Sequence, residues 1–423
     1  MALTQLKPPG SSPTSRYDCD LVIVGGGIAG ATLACSLKDS GLRIIIIESQ
    51  PLEVAAARKR AYAISLLSSR IYEGIGVWQQ ILPQISAFKQ IRLSDADCDR
   101  IVRFELEDLG TEHLGFVAEH RAIITVLQQL INESENINWL CPASVVGVTY
   151  GKTEVSVEVE AEGERQQLRT KLVVGADGGR SQIREDAGIT TKGWKYWQSC
   201  VATTIKHQAS RNDIAFERFW PTGPMGVLPL PGNRCQVVWT NPHGEAQNLK
   251  ELPEKDFLAR LEKYTGGLLG QLEMAGERFV FPVQLMQSDR YIQPRMALIG
   301  DAAHCCHPVG GQGLNLGIRD AAALAQVLQE ANMRGLDIGH MRVLQDYESW
   351  RKKENLTILG FTDLLDRLFS NNIFPIVAFR RLGLWLLKNI RPLRIYALQL
   401  MTGLRGRKIN FYPATGEVVS NGQ

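Results

Sequence analysis

A short apolar run, a glycine turn, a helix-like stretch and a second apolar run follow one another between residues 20 and 48. The first run (20–24) leads directly into the glycines of 25–30, and the second run (43–47) ends at Glu48. This order is the context in which a G-x-G-x-x-G sequence binds a dinucleotide, with the acidic residue placed to accept hydrogen bonds from a ribose diol. The chain is therefore predicted to be an α/β protein built on a Rossmann-like parallel sheet.

Each glycine of the turn has its own physical reason. Gly25 permits a tight turn, Gly27 lets the backbone approach a pyrophosphate, and Gly30 lets the helix pack closely on the strand. The helix that begins at Ile28 and Ala29 offers free N–H groups and a partial positive charge to phosphates. The turn predicts a bound dinucleotide but does not distinguish FAD from NAD.

Two later segments repeat the pattern of an apolar strand that enters a polar turn. Residues 171–181 lead into a turn that carries Asp177. Residues 295–320 lead into a turn that carries Asp301, and a glycine-dense loop then opens a helix at about Leu314. A carboxylate at the end of a strand can hold a sugar or ribityl hydroxyl, and a glycine loop that opens a helix offers N–H donors to an electron-rich ring.

Together the three segments resemble the group A flavoprotein monooxygenases, the FAD-dependent aromatic hydroxylases related to para-hydroxybenzoate hydroxylase. The string GDAAHCCHPVGGQGLNLGIRD (300–320) is similar to the signature of the ubiquinone-biosynthesis branch, and residues 60–65 with 76–78 also fit it. The likeness spans roughly residues 18–400, and it is more specific for the superfamily than for the substrate.

The resemblance implies a role for each matching residue. Glu48 would bind the adenosine ribose, Asp177 would lie near the pyrophosphate and the nicotinamide donor, and Asp301 would bind the ribityl chain. Arg121 matches a position that contacts the cofactor in relatives, and Arg60 is assigned to the same cofactor site. The loop and the helix start would place backbone N–H groups at the pyrimidine edge of the flavin, from Gly311, Gly313, Leu314 and Asn315.

The implied activity is that of a monooxygenase that hydroxylates a phenolic ring with O₂, a prenylated precursor of a ubiquinone- or plastoquinone-type quinone being the expected substrate. FAD would be held non-covalently, and NAD(P)H would reduce it after docking without a Rossmann unit of its own. The chemistry is assigned to the flavin, so no catalytic side chain is named. A prenyl-chain reductase of the same fold and a non-catalytic scaffold in a quinone-biosynthesis complex remain alternatives. A flavin halogenase is disfavoured, because its W-x-W-x-I-P pattern is missing.

Composition excludes several other classes. A net charge of +3 over 423 residues does not favour a nucleic-acid partner. Eight cysteines without a C-x-x-C pair indicate a reducing compartment. No signal peptide and no apolar run of membrane-spanning length is recognised. A cytoplasmic protein is expected, peripheral on the inner face of a membrane if it binds one.

The motifs suggest a division of the chain with an inserted mixed β-sheet substrate domain and a C-terminal helical segment. The predicted parts are a disordered lead-in (1–17), an FAD-binding domain in two parts (18–185 and 283–335), the substrate domain (186–282) and a C-terminal helical region (336–423).

Several side chains have competing interpretations. Five aromatic residues are predicted to form sheet core rather than a substrate wall: Trp194, Trp197, Phe216, Phe219 and Trp220. Six isolated cysteines are predicted to be buried small hydrophobes: Cys19, Cys35, Cys98, Cys141, Cys200 and Cys235. His304, Cys305, Cys306 and His307 suggest zinc, but adjacent side chains rarely converge on one metal, so the histidines are expected to shape the loop and no metal is predicted.

Residues 356–408 carry nine basic residues against two acidic ones, interleaved with apolar residues. An apolar face beside cations is what an interfacial helix presents to anionic lipid. The other interpretation is a helical cap on the FAD-binding domain with a solvated basic face. The two interpretations are compatible.

Overall fold

The computed structural model describes residues 16–95 and 101–410. The predicted disordered lead-in, apart from Arg16 and Tyr17, lies outside the described residues, and so does Cys98. The strands, in chain order, are β1 (Leu21–Val24), β2 (Ile44–Ile47), β3 (Ala61–Ile64), β4 (Ser86–Phe88), β5 (Gln90–Asp95), β6 (Ile101–Phe104), β7 (Gly115–Glu119), β8 (Ile137–Leu140), β9 (Ser144–Tyr150), β10 (Val155–Ala161), β11 (Glu164–Thr170), β12 (Leu172–Gly175), β13 (Thr191–His207), β14 (Ile214–Trp220), β15 (Gly223–Leu230), β16 (Arg234–Pro242), β17 (Leu272–Met274), β18 (Phe279–Ser288), β19 (Ile292–Gln293), β20 (Met296–Leu298) and β21 (His304–Cys305). The α-helices are α1 (Ile28–Ser36), α2 (Leu52–Ala56), α3 (Leu66–Ile75), α4 (Trp78–Ile81), α5 (His120–Glu133), α6 (Gln182–Asp186), α7 (His243–Glu251), α8 (Glu254–Thr265), α9 (Gln312–Met333), α10 (Met341–Phe369), α11 (Phe374–Asn389) and α12 (Arg391–Thr402).

A mostly parallel sheet with the order β19-β20-β12-β1-β2-β8 holds the predicted glycine turn. β1 and β2 pair in parallel, and every residue of both strands is buried. Continuous apolar strands of this kind are stable only when helices cover both faces of the sheet. α1 and α9 share one core with the sheet, so the predicted Rossmann-like α/β architecture is confirmed.

A second, mixed sheet has the order β21-β18-β13-β16-β15-β14-β5-β6, with β17 beside β13. Its pairs are antiparallel except β14 and β5, which run parallel. One face packs on α7 and α8 through Trp239 and Phe257. The other face packs on the glycine-dense loop and the C-terminal helices, where the Phe219 and Phe369 rings stack at 3.9 Å. Two three-stranded sheets, β11-β10-β9 and β3-β7-β4, complete the architecture.

The mixed sheet that was predicted between the two parts of the FAD-binding domain is therefore present. It draws strands from several parts of the chain, since β5, β6 and β21 lie outside residues 186–282. The exact domain boundaries stay a prediction.

The prediction that all five aromatic residues of the sheet lie in its core is wrong for two of them. Phe219 is 1% exposed, and Phe216 and Trp220 pack partly buried against the α7–α8 side. Trp194 is 43% exposed and Trp197 is 90% exposed. The pairing of β13 with β18 shifts register between residues 195 and 199, and such a bulge changes which way side chains point.

The cysteines follow the prediction with one exception. Cys19, Cys35, Cys200 and Cys235 are buried, whereas Cys141 is half-buried. Cys141 follows the last residue of β8, and its thiol donates to the carbonyl of Gln50 at 3.0 Å. It lies at the edge of the parallel sheet rather than in the core.

The predicted C-terminal helical segment is confirmed as α10, α11 and α12. Arg380 on α11 forms an ion pair with Asp95 at 2.8 Å, and both side chains are 1% exposed. Arg394 on α12 pairs with Asp108 at 2.8 Å. Two of the nine basic residues of 356–408 therefore form ion pairs within the protein instead of facing solvent. The segment packs on the rest of the protein, as the cap interpretation expects.

Candidate active site

The glycine turn between β1 and α1 is closed by the end of β2. The N–H of Gly25 donates to the Ile47 carbonyl at 2.8 Å, and the N–H of Gly26 donates to Glu48 Oε2 at 2.9 Å. The other carboxylate oxygen of Glu48 accepts from the Gln50 N–H at 3.0 Å. Glu48 Oε1 also accepts from the Ser49 hydroxyl at 3.3 Å, so Glu48 is fixed beside the turn, and Oε2 keeps a lone pair for a ligand hydroxyl.

Gly30 shows why the turn requires glycine at its third position. A Cβ placed on Gly30 would lie 2.0 Å from the carbonyl oxygen of Gly25 and 3.3 Å from Ala176 Cβ. Any side chain there would push α1 away from the turn. Ala176 belongs to the second motif, so the same contact brings the first and second motifs together.

The third motif meets the first through small residues. A Cβ placed on Gly300 would lie 3.5 Å from Ala29 Cβ and 3.5 Å from Gly317 Cα. The α1 helix, the turn before Asp301 and the α9 helix therefore touch one another. The structure thus brings the three segments predicted from sequence into one place.

Asp177 lies at the turn after β12. One carboxylate oxygen accepts from the Ile183 N–H at 3.1 Å, whereas Oδ1 is buried without a hydrogen-bond partner among the described residues. Burial raises the pKa of Asp177. An orphaned buried carboxylate oxygen is rare in a native protein, and a ligand donor would satisfy it.

Asp301 lies in a recess. Its side chain keeps solvent-accessible surface, yet protein atoms surround it closely enough that burial raises its pKa, with His304 and Arg60 acting in the opposite direction. A group that is both accessible and surrounded lines a cleft rather than an open surface. The Arg60 carbonyl accepts from the N–H of His120, the residue before Arg121. The two exposed arginines therefore lie on adjoining segments, with Arg60 close enough to Asp301 to affect its pKa.

The glycine-dense loop is clamped by Asn315. Its side chain accepts from the Ser65 N–H at 2.8 Å and donates to the carbonyls of Ala63 and Gly311, each at 2.8 Å. Gly311 has a left-handed φ of 61°, and a Cβ on it would lie 2.9 Å from Ala63 Cβ. Gly311 is also the N-cap of α9 and has no side chain to satisfy the first helical N–H groups, at Gln312, Gly313 and Leu314. These donors suit a polar ring edge.

A charge network that the sequence analysis missed supports the Asp301 turn from behind. Asp320 is fully buried and accepts hydrogen bonds from four groups: the Gly300 N–H at 3.1 Å, His304 Nε2 at 2.6 Å, Arg351 Nε at 2.8 Å and Asn355 Nδ2 at 2.9 Å. Burial alone would raise the pKa of Asp320, but His304 and Arg351 outweigh it and hold this pKa well below its usual range. The only sequence signal was the place of Asp320 at the end of the third motif.

The two histidines of the HCCH string have separate partners. His304 binds Asp320, whereas His307 accepts from the Val309 N–H at 3.3 Å and lies 3.4 Å from Asp366. In residues 16–95 and 101–410 no three His, Cys, Asp or Glu side chains form a group that could hold a metal ion. Both histidines hold the loop in position.

The residues present fit a flavin dinucleotide. The glycine turn that opens α1 has no side-chain cap, and the Glu48 carboxylate follows β2. An Asp177 oxygen without a partner, the recessed Asp301 and the free N–H groups of α9 lie around this turn. The fold and this set of groups define an FAD-binding protein.

Comparison with known proteins gives the same class. Residues 18–355 match the family model described as FAD binding domain. A protein of Synechocystis sp. described as uncharacterized is 54% identical over 94% of this chain and 96% of its own. The ubiquinone hydroxylase UbiL of Rhodospirillum rubrum is 37% identical over 89% and 87%, and the 3-demethoxyubiquinol 3-hydroxylase of Escherichia coli is 31% identical over 91% and 98%. The chain belongs to the FAD binding domain family, in the branch that contains these hydroxylases.

A solved structure shares the fold. The p-nitrophenol 4-monooxygenase PnpA of Pseudomonas putida superposes with a TM-score of 0.77 at 21% identity, over 92% of this chain and 99% of its own. The inserted mixed sheet and the helices after it are thus part of a known arrangement.

Proposed function

We propose that this chain uses FAD, O₂ and NAD(P)H to hydroxylate the phenolic ring of a prenylated quinone precursor of the ubiquinone or plastoquinone type. The observation that carries the proposal is the meeting of the three motifs around one recess, in a chain whose curated relatives include ubiquinone hydroxylases. Bound FAD would supply the redox chemistry and the activation of O₂. The protein would position both ring systems and exclude water.

The cofactor-binding roles that we propose are those that the family resemblance implies, and the positions of the residues support them. The N-terminus of α1, with Gly25, Gly27 and Gly30, faces the pyrophosphate, and Glu48 accepts from the adenosine ribose. The remaining contacts come from Asp177 near the pyrophosphate and the nicotinamide donor, Asp301 at the ribityl chain, Arg60 and Arg121 at the cofactor, and the N–H groups of Gly313, Leu314 and Asn315 at the pyrimidine edge.

The first test is the cofactor itself. Purified protein should be yellow, and acid precipitation should release the flavin into the supernatant, because the assigned contacts are all non-covalent. A colourless protein that cannot be reconstituted with FAD would contradict the proposal.

The second test is turnover. With NADH or NADPH and 2-prenylphenol, an oxygen electrode should record O₂ uptake, and mass spectrometry should find a product heavier by one oxygen atom. A prenyl-chain reductase would consume NAD(P)H without O₂, and a non-catalytic scaffold would consume neither. The names of the curated relatives favour the hydroxylase.

The C-terminal helices provide a surface that suits a membrane interface. No helix of the described residues is long and apolar enough to span a bilayer. On α11, Phe379, Leu382 and Trp385 share one face and are 62%, 52% and 46% exposed. Phe374 is 83% exposed at the start of the helix. Exposed aromatic residues beside cations are typical of interfacial segments.

We therefore assign peripheral binding on the inner, anionic face of a membrane to this surface. A prenylated phenol resides in the bilayer, so docking would let the recess take up substrate without a spanning helix. A protein of a quinone-biosynthesis complex is the other occupant that such a surface could take, and the vesicle experiment in the Discussion separates the two.

A further inference from the structure

Glu217 is a carboxylate on an otherwise apolar face of the mixed sheet. It lies in the middle of β14, and alternation along the strand places it on the same face as Ala215 and Phe219. Both neighbours are buried in one cluster with Val309 of the glycine-dense loop and Phe369 of α10. An acidic side chain at such a position needs an explanation.

The contacts of Glu217 lead directly to the cofactor loop. Its Oε2 accepts from the N–H of Gly310 at 3.3 Å. On the neighbouring strand it pairs with Gly226, where even a Cβ would lie 3.6 Å from the same oxygen. The carboxylate therefore lies over a glycine and under the loop.

Glu217 has no cation to neutralise it among the described residues. The structure gives it no ion pair with any residue of 16–95 or 101–410, and the neighbouring Arg218 points to the opposite face, where it donates to the Thr265 carbonyl at 2.8 Å. Like Asp301, Glu217 keeps accessible surface while protein surrounds it, and burial raises its pKa to about 7. A desolvated carboxylate without a charge partner is costly, and such groups concentrate at functional sites.

We propose that Glu217 binds the ring hydroxyl of the substrate and takes its proton during hydroxylation. This assignment rests on the proposed function, and it names the residue that selects a ring with a free hydroxyl. The phenol O–H bond breaks and a new O–H bond forms on a Glu217 oxygen. The electron pair stays on the ring oxygen and makes the ring a better nucleophile, and the proton leaves to solvent after the product departs.

Other titratable groups near this face do not replace Glu217. Burial raises the pKa of Cys200 on β13 to about 12, and the charges of Glu217 and Asp366 act in the same direction. Burial lowers the pKa of His307 below its ordinary value, while Asp366 and Asp363 on α10 oppose the change. Neither Cys200 nor His307 is expected to give an acid limb near pH 7, so a limb there is assigned to Glu217, whose carboxylate form is the active one.

The test uses the holoenzyme of the wild type, of Glu217→Gln and of Glu273→Gln as a control. Glu273 is an exposed acid of the same sheet, on β17, away from the loop. Titration of 2-prenylphenol and of its methyl ether is followed by flavin absorbance. The wild type and the control should bind the phenol at least about 10-fold more tightly than the ether, whereas Glu217→Gln should bind the two within about 2-fold.

The pH profile adds a readout that a structural role would not change. For the wild type, kcat/KM with 2-prenylphenol should rise with pH through about 7. In Glu217→Gln this limb should disappear, and kcat at pH 8 should fall about 100-fold, the usual contribution of a general base. Glu217→Asp keeps the charge on a shorter side chain and should recover the limb in part, which guards against a glutamine variant that merely folds poorly.

The possible outcomes separate this assignment from the proposed function. A Glu217→Gln enzyme that hydroxylates with the wild-type pH profile and the wild-type preference for the phenol overturns the role of Glu217 and leaves the hydroxylase standing. Failure of the wild type to bind either compound also overturns it. A wild type that prefers the phenol through Glu217 but inserts no oxygen into any phenol removes the proposed function and keeps Glu217 as a binding residue.

Discussion

The cofactor half of the molecule and its C-terminal helices place their side chains in opposite ways. Around the Asp301 turn, polar groups are inside and paired, as in the Asp320 network. On α11, apolar groups such as Phe374 and Phe379 are outside and uncovered. Burying a charge and exposing an aromatic ring both cost free energy in an isolated chain.

The difference indicates that the side chains of each region are suited to a different external partner. The first fits a polar ligand whose phosphates and hydroxyls need fixed donors and acceptors. The second fits an external apolar surface with negative charge. Substitutions at four sites test this contrast.

The largest expected effect is at Asp320. Asp320→Ala leaves Arg351 and His304 buried without their shared acceptor, and breaking a buried ion pair in this way costs 3–5 kcal/mol, so a loss of about 5 kcal/mol is expected. The free energy of unfolding in urea is the measurement, made with and without FAD. Asp320→Asn keeps one acceptor oxygen but also removes the charge, so it should lose nearly as much, and a clearly smaller loss in Asp320→Asn would contradict the charge argument.

The same variant has a pH signature. Because the folded-state pKa of Asp320 is lowered, its contribution to stability is fully present above the unfolded value of about 4 and is lost as pH falls towards the folded-state pKa. The difference in unfolding free energy between the wild type and Asp320→Ala should therefore shrink as pH drops below about 4. A difference that stays constant from pH 6 to pH 3 would contradict this.

The second effect tests whether the C-terminal helices are held separately from the cofactor. Arg380→Met removes the guanidinium 2.8 Å from Asp95 and leaves only Arg381, at 4.0 Å, near this buried carboxylate, at a cost of about 3 kcal/mol. The double variant Asp95→Asn/Arg380→Met should recover part of that loss, because no buried charge remains. Proteolysis of the C-terminal helices and FAD content are the two readouts, and we expect the first to change while the second stays near wild type.

The third effect concerns the membrane surface. Arg381, Lys388 and Arg391 are candidates for lipid contact, since Arg380 and Arg394 are tied in ion pairs at 2.8 Å. Arg381 lies 4.0 Å from Asp95 but is 42% exposed, and the exposed Arg391 donates to the Glu107 carbonyl. Replacing these three with Gln should weaken binding to anionic vesicles by about 3 kcal/mol, at about 1 kcal/mol per basic residue, and wild-type binding should weaken as salt rises. The control replaces Lys250, Lys255 and Lys263, exposed on the other side of the mixed sheet, and should float with vesicles like the wild type. If the first triple variant also floats like the wild type, the surface serves another partner.

The smallest effect is at the assigned ribityl contact. Asp301→Ala removes charge-assisted hydrogen bonds worth about 1.5–3 kcal/mol, so FAD affinity should fall roughly 10- to 150-fold while the chain stays folded. Titration of FAD into the apo variant measures this. Wild-type affinity in a folded variant would remove Asp301 from the cofactor site.

The sequence predicted those parts of the molecule that depend on neighbours along the chain. The glycine turn, Glu48 and the helix after Gly313 follow from local rules about glycine, apolar strands and helix starts, and the parallel sheet follows from them. Trp194 and Trp197 were misplaced because a bulge in β13, produced by its pairing with a distant strand, reverses side-chain direction. Arg380 was counted as solvated because its partner, Asp95, lies 285 residues away.

The candidate site divides in the same way. Its backbone donors could be found from the motifs. The roles of Asp320, Arg351 and Glu217 depend on contacts between segments that are distant in the sequence, so they could not. Nothing in the sequence around Glu217 distinguishes it from an exposed acid on a strand. Its position above Gly226 and below Gly310 exists only once β14 and the loop are packed together.

The α10 helix connects the Asp320 network behind the cofactor site with the mixed sheet. Its 29 residues span about 43 Å, with Arg351 and Asn355 in the Asp320 network near the middle, and Asp366 and Phe369 near the loop and the mixed sheet at the end. Backbone amides along one continuous helix tend to exchange with deuterium through shared opening events. Slower amide exchange on FAD binding should therefore extend along α10 as far as Phe369. FAD binding would then be detectable beside the mixed sheet before any substrate is added.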